Sequence, residues 1–285
     1  MSSPASAPWV LRLQRWAEGD PNVRLALLVG SQARTDTPAD SFSDIDLALF
    51  ASEPGRILRE VDWIAQLGPY WTSHLEENAL GTGEERRVLF EDGQDVDFAV
   101  FPVEFLASLV TDPRAVAVLR RGFRTLVNKD SLPLSTPRGE PRPSLPSPSE
   151  FANLVNDYWF HLVWTAKKLR RGELLTALEA NNGCLRAMLV RIVRWHALAR
   201  GPPGQDVWHG ARFFERWADP RATRAFPETV ARYDARSIAR SLRASRVLLG
   251  WLSDELSESL AFPSPIRDRT GLSAYLDGLL NDRGR

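Results

Sequence analysis

At 285 residues the chain is long enough for two domains of ordinary size, each with its own core. With 44% hydrophobic and 25% charged residues, its composition excludes wholesale disorder, collagen-like repeats and coiled-coil arrays. Thirty-six basic residues balance 36 acidic ones, which disfavours a non-specific grip on nucleic acid, since that needs a surplus of Lys and Arg.

In chain order, Trp9, Val10, Leu13, Trp16 and Ala17 share one face at helical spacing and predict a first helix. The apolar run Leu25 to Val29 is short enough for a buried strand, and Ile45, Leu47 and Leu49, alternating with polar or small residues, predict a second. Ile57, Leu58, Val61, Ile64 and Leu67 restore helical spacing, and Arg87 to Phe90 and Val96 to Phe101 read as two further strands. The first half is thus expected to be an α+β unit, a mixed sheet with flanking helices and not a Rossmann repeat.

Ser131 to Ser149 carries six prolines and little that could pack, so it reads as an extended connection. It ends in Ser147, Pro148 and Glu150, which predict an N-cap, a Pro at the first helical position and a capping-box Glu. The predicted division is a first domain over 1–135, a Pro-rich linker over 136–148 and a helical domain over 149–285. Phe151, Leu154, Val155, Trp159, Leu162, Val163, Ala166 and Leu169 predict one amphipathic helix; Leu174, Leu178, Leu185, Met188, Leu189 and Ile192 predict another. A third is expected from about Ala235 to Leu260, and a short fourth over Gly271 to Leu280. Residues 1 to 148 hold 15 basic and 21 acidic groups, residues 149 to 285 hold 21 and 15, so the zero total conceals halves of −6 and +6. The acidic half should attract cations, and the basic half should help hold an anion such as a nucleoside triphosphate between them.

The chemistry concentrates in Leu25 to Phe50. Gly30-Ser31 follows directly on a buried strand, where glycine permits a tight turn and exposed backbone N–H groups can approach a phosphate. Asp44-Ile45-Asp46 opens the next strand, and a period of two puts both carboxylates on one face while Ile45, Leu47 and Leu49 take the other. Asp95-Val96-Asp97 repeats that logic, with Val96, Phe98 and Val100 behind it. If the two strands are neighbours, Asp44, Asp46 and Asp97 converge. Three such carboxylates would raise one another's pKa values unless a divalent cation lay between them, and oxygen ligands without His or Cys select Mg²⁺ or Mn²⁺. The implied chemistry is phosphoryl or nucleotidyl transfer. An isolated Asp-x-Asp or Gly-Ser is common in ordinary loops, so the inference rests on their combination.

At these residues the chain resembles the nucleotidyltransferase superfamily, with its Gly-Ser, Asp-x-Asp and later single carboxylate. More closely, it is similar to the aminoglycoside 6-adenylyltransferases, the streptomycin-modifying enzymes. That resemblance rests on Gly30 to Asp46 with Pro38, Asp40 and Phe42 inside it, on Leu89-Phe90-Glu91-Asp92-Gly93 leading to Asp97-Phe98, and on Lys167-x-Leu169-x-Arg171-x-Glu173. It continues through Asn181, Arg186 and Trp195 to the region of Tyr233. It implies a polymerase-beta-like nucleotidyltransferase domain followed by a helical substrate-binding bundle, and Mg²⁺-dependent transfer of AMP from the co-substrate ATP to an aminoglycoside hydroxyl, most closely of streptomycin. Asp44 and Asp46 map onto the family's metal-binding aspartates. Asp97 maps onto the third carboxylate, as metal ligand, general base or both. Gly30 and Ser31 would contact phosphates and Lys167 would reach the triphosphate. The chain departs from the pattern at Gln32, where the family usually has Arg, and keeps an aromatic pair only partly as Tyr158-Trp159.

A polycationic acceptor calls for carboxylates and flat aromatic faces; Glu76, Glu77, Glu84, Glu85, Glu91, Asp95, Asp157, Trp159 and Trp164 offer these, each equally readable as solvated surface or core. No P-loop or nucleophile elbow is present. His74, His161, His196 and His209 show no metal-ligand spacing. The single cysteine, Cys184, excludes an intrachain disulfide and, on an apolar helix, is expected in the core. With no apolar run of membrane-spanning length and no secretory pattern at Met1 to Ala5, a cytoplasmic enzyme without membrane or nucleic-acid partners is expected. The alternatives are a nucleotidyltransferase acting on another small molecule or a protein hydroxyl, and a catalytically silent nucleotide-binding protein.

Overall fold

The computed structural model describes residues 7–34, 39–109, 111–132, 134, 145–207 and 209–281. By its internal contacts the chain forms two compact units, Met1–Pro141 and Arg142–Arg285. Most of the predicted Pro-rich connection, and Pro38, lie outside the described residues.

In the first unit, helix α1 (Ala7–Gly19) buries Trp9, Val10, Leu13, Trp16 and Ala17, the five residues that share its apolar face. Strand β1 (Val23–Val29) runs antiparallel to β2 (Ile45–Ala51). After the short α2 (Pro54–Arg59) come β3 (Tyr70–Glu77), β4 (Glu84–Phe90), β5 (Asp95–Pro102), α3 (Pro113–Arg120) and β6 (Arg124–Asn128). The six strands form one mixed sheet in the order β3-β4-β5-β2-β1-β6, in which β2 and β5 are the parallel pair. On one face Ile45, Leu47, Leu49, Val96, Phe98 and Val100 pack with α1 and α2 in the main core. On the other, Leu25, Leu27, Phe50, Phe101 and Leu119 form a smaller core toward one end of the strands, leaving polar residues at the other.

Residues 57–67 do not form the single helix their spacing predicts. The helix stops at Arg59, Glu60 is extended, and a separate 3₁₀ turn covers Asp62–Gln66. Side chains satisfy the freed carbonyls: the Trp63 indole N–H donates to the oxygens of Ile57 (3.1 Å) and Glu60 (2.9 Å), and the Arg86 guanidinium donates to that of Leu58. Val61, assigned to the apolar face, is exposed. Three elements lie outside the sequence expectations: the edge strand β3, exposed or half-buried throughout; β6, with Val127 its one buried residue; and α3, which buries Ala115 and Leu119 and is capped by the Asp112 carboxylate, which accepts from the N–H groups of Arg114 and Ala115.

The second unit is helical. Helix α4 (Pro148–Arg170) begins with the predicted capping box: Glu150 N–H donates to the Ser147 hydroxyl, and the Glu150 carboxylate accepts from Ser147 N–H. The predicted second helix is α5 (Leu174–Glu179) and α6 (Arg186–Arg200), joined by one wide π turn, Ala180–Leu185. That turn presents Asn181 and Asn182 to the segment 229–231: their side-chain amides donate to the carbonyls of Thr229 (3.0 Å) and Ala231 (2.8 Å), and Asn182 Oδ1 accepts from Ala231 N–H (2.9 Å). Cys184 lies off the buried stripe of Asn181, Leu185, Met188 and Leu189 and is exposed, which corrects its expected core position. The short helices α7 (Phe214–Trp217) and α8 (Pro220–Ala225) precede α9 (Ala235–Leu260), and α10 (Arg269–Asn281) packs on α4. Among the described residues no helix is long and apolar enough to cross a membrane.

Candidate active site

The parallel register of β2 on β5 sets Asp46 beside Asp97 and Ile45 beside Val96. Because side chains alternate, the aliphatic members of both strands enter the main core, and both carboxylates emerge together on the opposite face. Asp44, one residue before β2, completes the group: one carboxylate oxygen from each of Asp44, Asp46 and Asp97 lies within 4.8 Å of the others. Among the described residues this is the one group of three such side chains that could hold a metal ion. Ala48 and Ala99, the next residues on that face, pack against the smaller core.

The segment carrying Asp44 is held from two sides. Gln32, fully buried, donates its side-chain amide to Asp44 O (3.3 Å), and Gln94 donates to Ser43 O (3.3 Å) and Asp95 O (2.9 Å). The departure at Gln32 therefore has a structural use here. On the other side of Asp46, β1 pairs Val29 with Asp46, so the 3₁₀ turn Gly30–Gln32 begins against that carboxylate. Gly30 sits at φ +64°, and a Cβ there would lie 1.9 Å from Asp46 Oδ2. Only glycine combines that backbone angle with that approach. We expect Gly30→Ala to cost roughly 1–3 kcal/mol of stability, seen as a lower thermal midpoint. Gly93→Ala, also at positive φ (+87°) but with nothing within 4 Å, should cost less.

Next to Gly30, the Ser31 hydroxyl is buried and has no hydrogen-bond partner among the described residues. A buried hydroxyl beside a glycine turn and three carboxylates has the donor and acceptor set that an oxyanion and a hard cation would need. Oxygen donors without imidazole or thiolate fit Mg²⁺ or Mn²⁺.

Burial, reinforced by Asp44 and Asp97, pushes the Asp46 carboxyl up to about 8. Asp97 is pushed up to about 6, again mainly by burial, with Glu85, Asp44 and Asp95 adding to it and Arg87 opposing. Burial also raises Glu85. Sequence reasoning named Glu76 and Glu85 only as members of an acidic excess and overlooked Arg87. Arg87 pairs with Glu76 (2.9 Å), Glu85 (2.9 Å) and Asp97 (3.2 Å). The odd-even pattern of β4 puts Glu85 and Arg87 on the face opposite to Arg86 and Val88, but only the cross-strand register sets Arg87 against Asp97.

Lys167 belongs to the second unit, is exposed, and places its ammonium 5.6 Å above the Tyr275 ring. Of the other candidates, Trp159 is a core residue, Asp157 pairs with His161 (2.8 Å) and Trp164 lies under Lys168. Buried His196 is held by Glu255 (2.7 Å), whereas the His209 side chain lies outside the described set. The second unit contains a cavity of about 550 Å³ bordered by Arg221, Arg246, Trp251 and Arg269. Its charges are largely spent internally: Arg246 pairs with Asp277, Arg269 with Asp254, and Arg221 stacks on Trp251. It holds none of the three clustered aspartates.

Comparison with known proteins identifies the family of the chain. The aminoglycoside 6-adenylyltransferase of Bacillus subtilis (strain 168) is 23% identical over 270 residues, covering 93% of this chain and 94% of that protein. The enzyme of the same name from Campylobacter jejuni is 24% identical over 185 residues, 63% of each chain. A crystal structure of an aminoglycoside 6-adenyltransferase from Bacillus subtilis aligns over 98% of this chain and 99% of its own, at 20% identity and a TM-score of 0.45. The sequence pattern of the family described as streptomycin adenylyltransferase matches residues 10–279, nearly the whole chain. The chain belongs to that family and is a nucleotidyltransferase.

Proposed function

We propose that the chain transfers AMP from ATP to a hydroxyl of an aminoglycoside, streptomycin being the preferred acceptor, in a reaction dependent on Mg²⁺. The observation that carries this reading is the gathering of Asp44, Asp46 and Asp97 beside the Gly30–Gln32 turn and its unpartnered Ser31 hydroxyl. The relatives' names and the family's description support the choice of acceptor.

Asp44 and Asp46 would hold the metal with Asp97 completing the set. When bound, the ion neutralises triphosphate charge and helps align an in-line displacement. The protein's own groups do the rest. The Gly30 turn lets phosphate oxygens approach the backbone, and Ser31 supplies a hydroxyl donor. Lys167 is proposed as a further phosphate contact on the strength of its sequence pattern alone. The acceptor oxygen bonds to the α-phosphorus, pyrophosphate departs, and the hydroxyl proton passes to a base. Asp97 is placed beside Asp44 and Asp46 to serve as that base or as a metal ligand. ATP is a cytoplasmic co-substrate, which favours that compartment.

The test is incubation with ATP, Mg²⁺ and a panel of aminoglycosides, followed by mass spectrometry. We expect streptomycin to gain the mass of one AMP residue with matched release of pyrophosphate. Pyrophosphate release with no aminoglycoside adduct would move the acceptor to another small molecule or a protein hydroxyl. Metal-dependent ATP binding without any release would mark a silent protein.

A further inference from the structure

We infer that Arg87 is the positioning residue of the third carboxylate, clamping one oxygen of Asp97 so that the other is presented to Asp44 and Asp46. The inference rests on the proposed function, and it concerns a residue that belongs to none of the motifs carrying the family resemblance.

Arg87 stands directly opposite Asp97 in the antiparallel β4–β5 ladder, on the face that carries the three aspartates. Its Nη2 lies 3.2 Å from Asp97 Oδ2, and its Nε lies 2.9 Å from Glu85 Oε1 and 2.9 Å from Glu76 Oε1. A planar guanidinium with donors in a fixed fork can hold several carboxylates at set angles, which a lysine ammonium cannot. The order across the sheet is therefore Glu76 on β3, Arg87 and Glu85 on β4, Asp97 on β5 and Asp46 on β2. Glu85 accepts the Nε–H hydrogen bond of the guanidinium, Glu76 adds its charge at the same nitrogen, and the Asp97 side chain, 15% exposed, forms an ion pair with Nη2. Glu85 is itself buried, so the half-exposed Arg87 is anchored through its Nε. The neighbouring Arg86 shows the contrast: it points to the opposite face and spends its donors on Leu58 O and the Ser73 hydroxyl (2.8 Å).

An arginine that only held the strands together would, when lost, weaken metal binding and folding together with turnover. A positioning arginine behaves differently. Removing it frees Asp97 to misorient, which lowers turnover, while taking a positive charge away from the metal site leaves cation affinity equal or tighter.

The experiment compares wild type, Arg87→Met, Arg87→Lys and Asp44→Asn by Mn²⁺ titration in electron paramagnetic resonance, by thermal melting, and by kcat and KM for AMP transfer at saturating metal. Arg87→Met is expected to lose tenfold or more in kcat with little change in the KM for ATP and no loss of Mn²⁺ affinity. Arg87→Lys, which keeps the charge but not the fork, should recover part of that loss. A kcat within twofold of wild type, or a loss that tracks weakened Mn²⁺ binding, would overturn the inference. Should Arg87→Met fail to fold, Arg87→Lys decides: a kcat at least threefold down with unchanged Mn²⁺ affinity supports the clamp, and an unchanged kcat ends it. Asp44→Asn separates the two levels of argument, since its full activity would defeat the proposed function and not merely the role of Arg87. If wild type itself transfers no AMP, the proposed function fails and the Mn²⁺ spectrum decides for the clamp alone: a changed coordination signature in Arg87→Met at unreduced affinity supports it, and an unchanged spectrum or weaker binding refutes it.

Discussion

Asp44→Asn or Asp46→Asn should lower AMP transfer by about a hundredfold or more, on the order of 3 kcal/mol of transition-state stabilisation. The change is nearly isosteric, so each variant keeps the volume of the side chain and loses one negative charge from a group of three that meets within 4.8 Å. The neighbours that fix the local backbone are untouched: Gln32 and Gln94 still hold the 43–44 segment by its carbonyls, and Val29 still pairs with residue 46. A fall in turnover with an unchanged far-ultraviolet circular dichroism spectrum therefore reports on charge at the site. Steady-state pyrophosphate release measures it. Turnover within tenfold of wild type in both variants would remove the aspartates from the chemistry, and the proposed reaction with them.

The parts of the site that could be read from sequence are those set by local periodicity. Asp44, Asp46 and Asp97 announced themselves because Ile45, Leu47, Val96 and Phe98 alternate with them, and a strand that buries one set must present the other. The parallel pairing that brings Asp46 beside Asp97 is non-local, and there the reading rested on an assumption about neighbours. Arg87 and Glu85 belong to the same cross-strand problem. Each is an ordinary charged residue in sequence, and only the β4–β5 register gives Arg87 a carboxylate on the next strand. The elements that were missed or misjudged have local causes. β3 is an exposed edge without an apolar stripe, so hydrophobic alternation had nothing to show. Residues 57–67 keep helical spacing across a real break, because an indole and a guanidinium take the carbonyl bonds that a continuous helix would have used. Cys184 was placed inside by reasoning from an uninterrupted helix, whereas the wide turn Ala180–Leu185 alters the phase of the buried stripe just there.

The second large effect is on stability and its dependence on pH and metal. In the unfolded chain the carboxyls of Asp46, Asp97 and Glu85 titrate at about 4. In the folded, metal-free protein, burial and mutual repulsion raise Asp46 to about 8 and Asp97 to about 6, and Glu85 moves in the same direction. The folded state thus binds more protons than the unfolded one between those limits, and unfolding becomes easier as pH rises. The contribution is fully present below about pH 4 and is lost as pH climbs through about 6 and 8. Mg²⁺ bound at the proposed site would reverse the balance, because it would take up the ionised carboxylates of the folded state and displace the protons that the cluster retains. Scanning calorimetry should accordingly show the metal-free protein less stable at pH 8.5 than at pH 5.5 by on the order of 2 kcal/mol, a few degrees in the transition of the sheet-containing unit. Saturating Mg²⁺ should raise that transition more at pH 8.5 than at pH 5.5. Asp46→Asn should melt higher than wild type without metal at pH 8.5, flatten the pH dependence and lose most of the response to Mg²⁺, since it removes the most strongly shifted carboxyl of the three. A Mg²⁺ response that was equal at the two pH values, or an Asp46→Asn protein that melted lower than wild type under metal-free conditions, would mean that the three side chains do not share charge as their geometry requires.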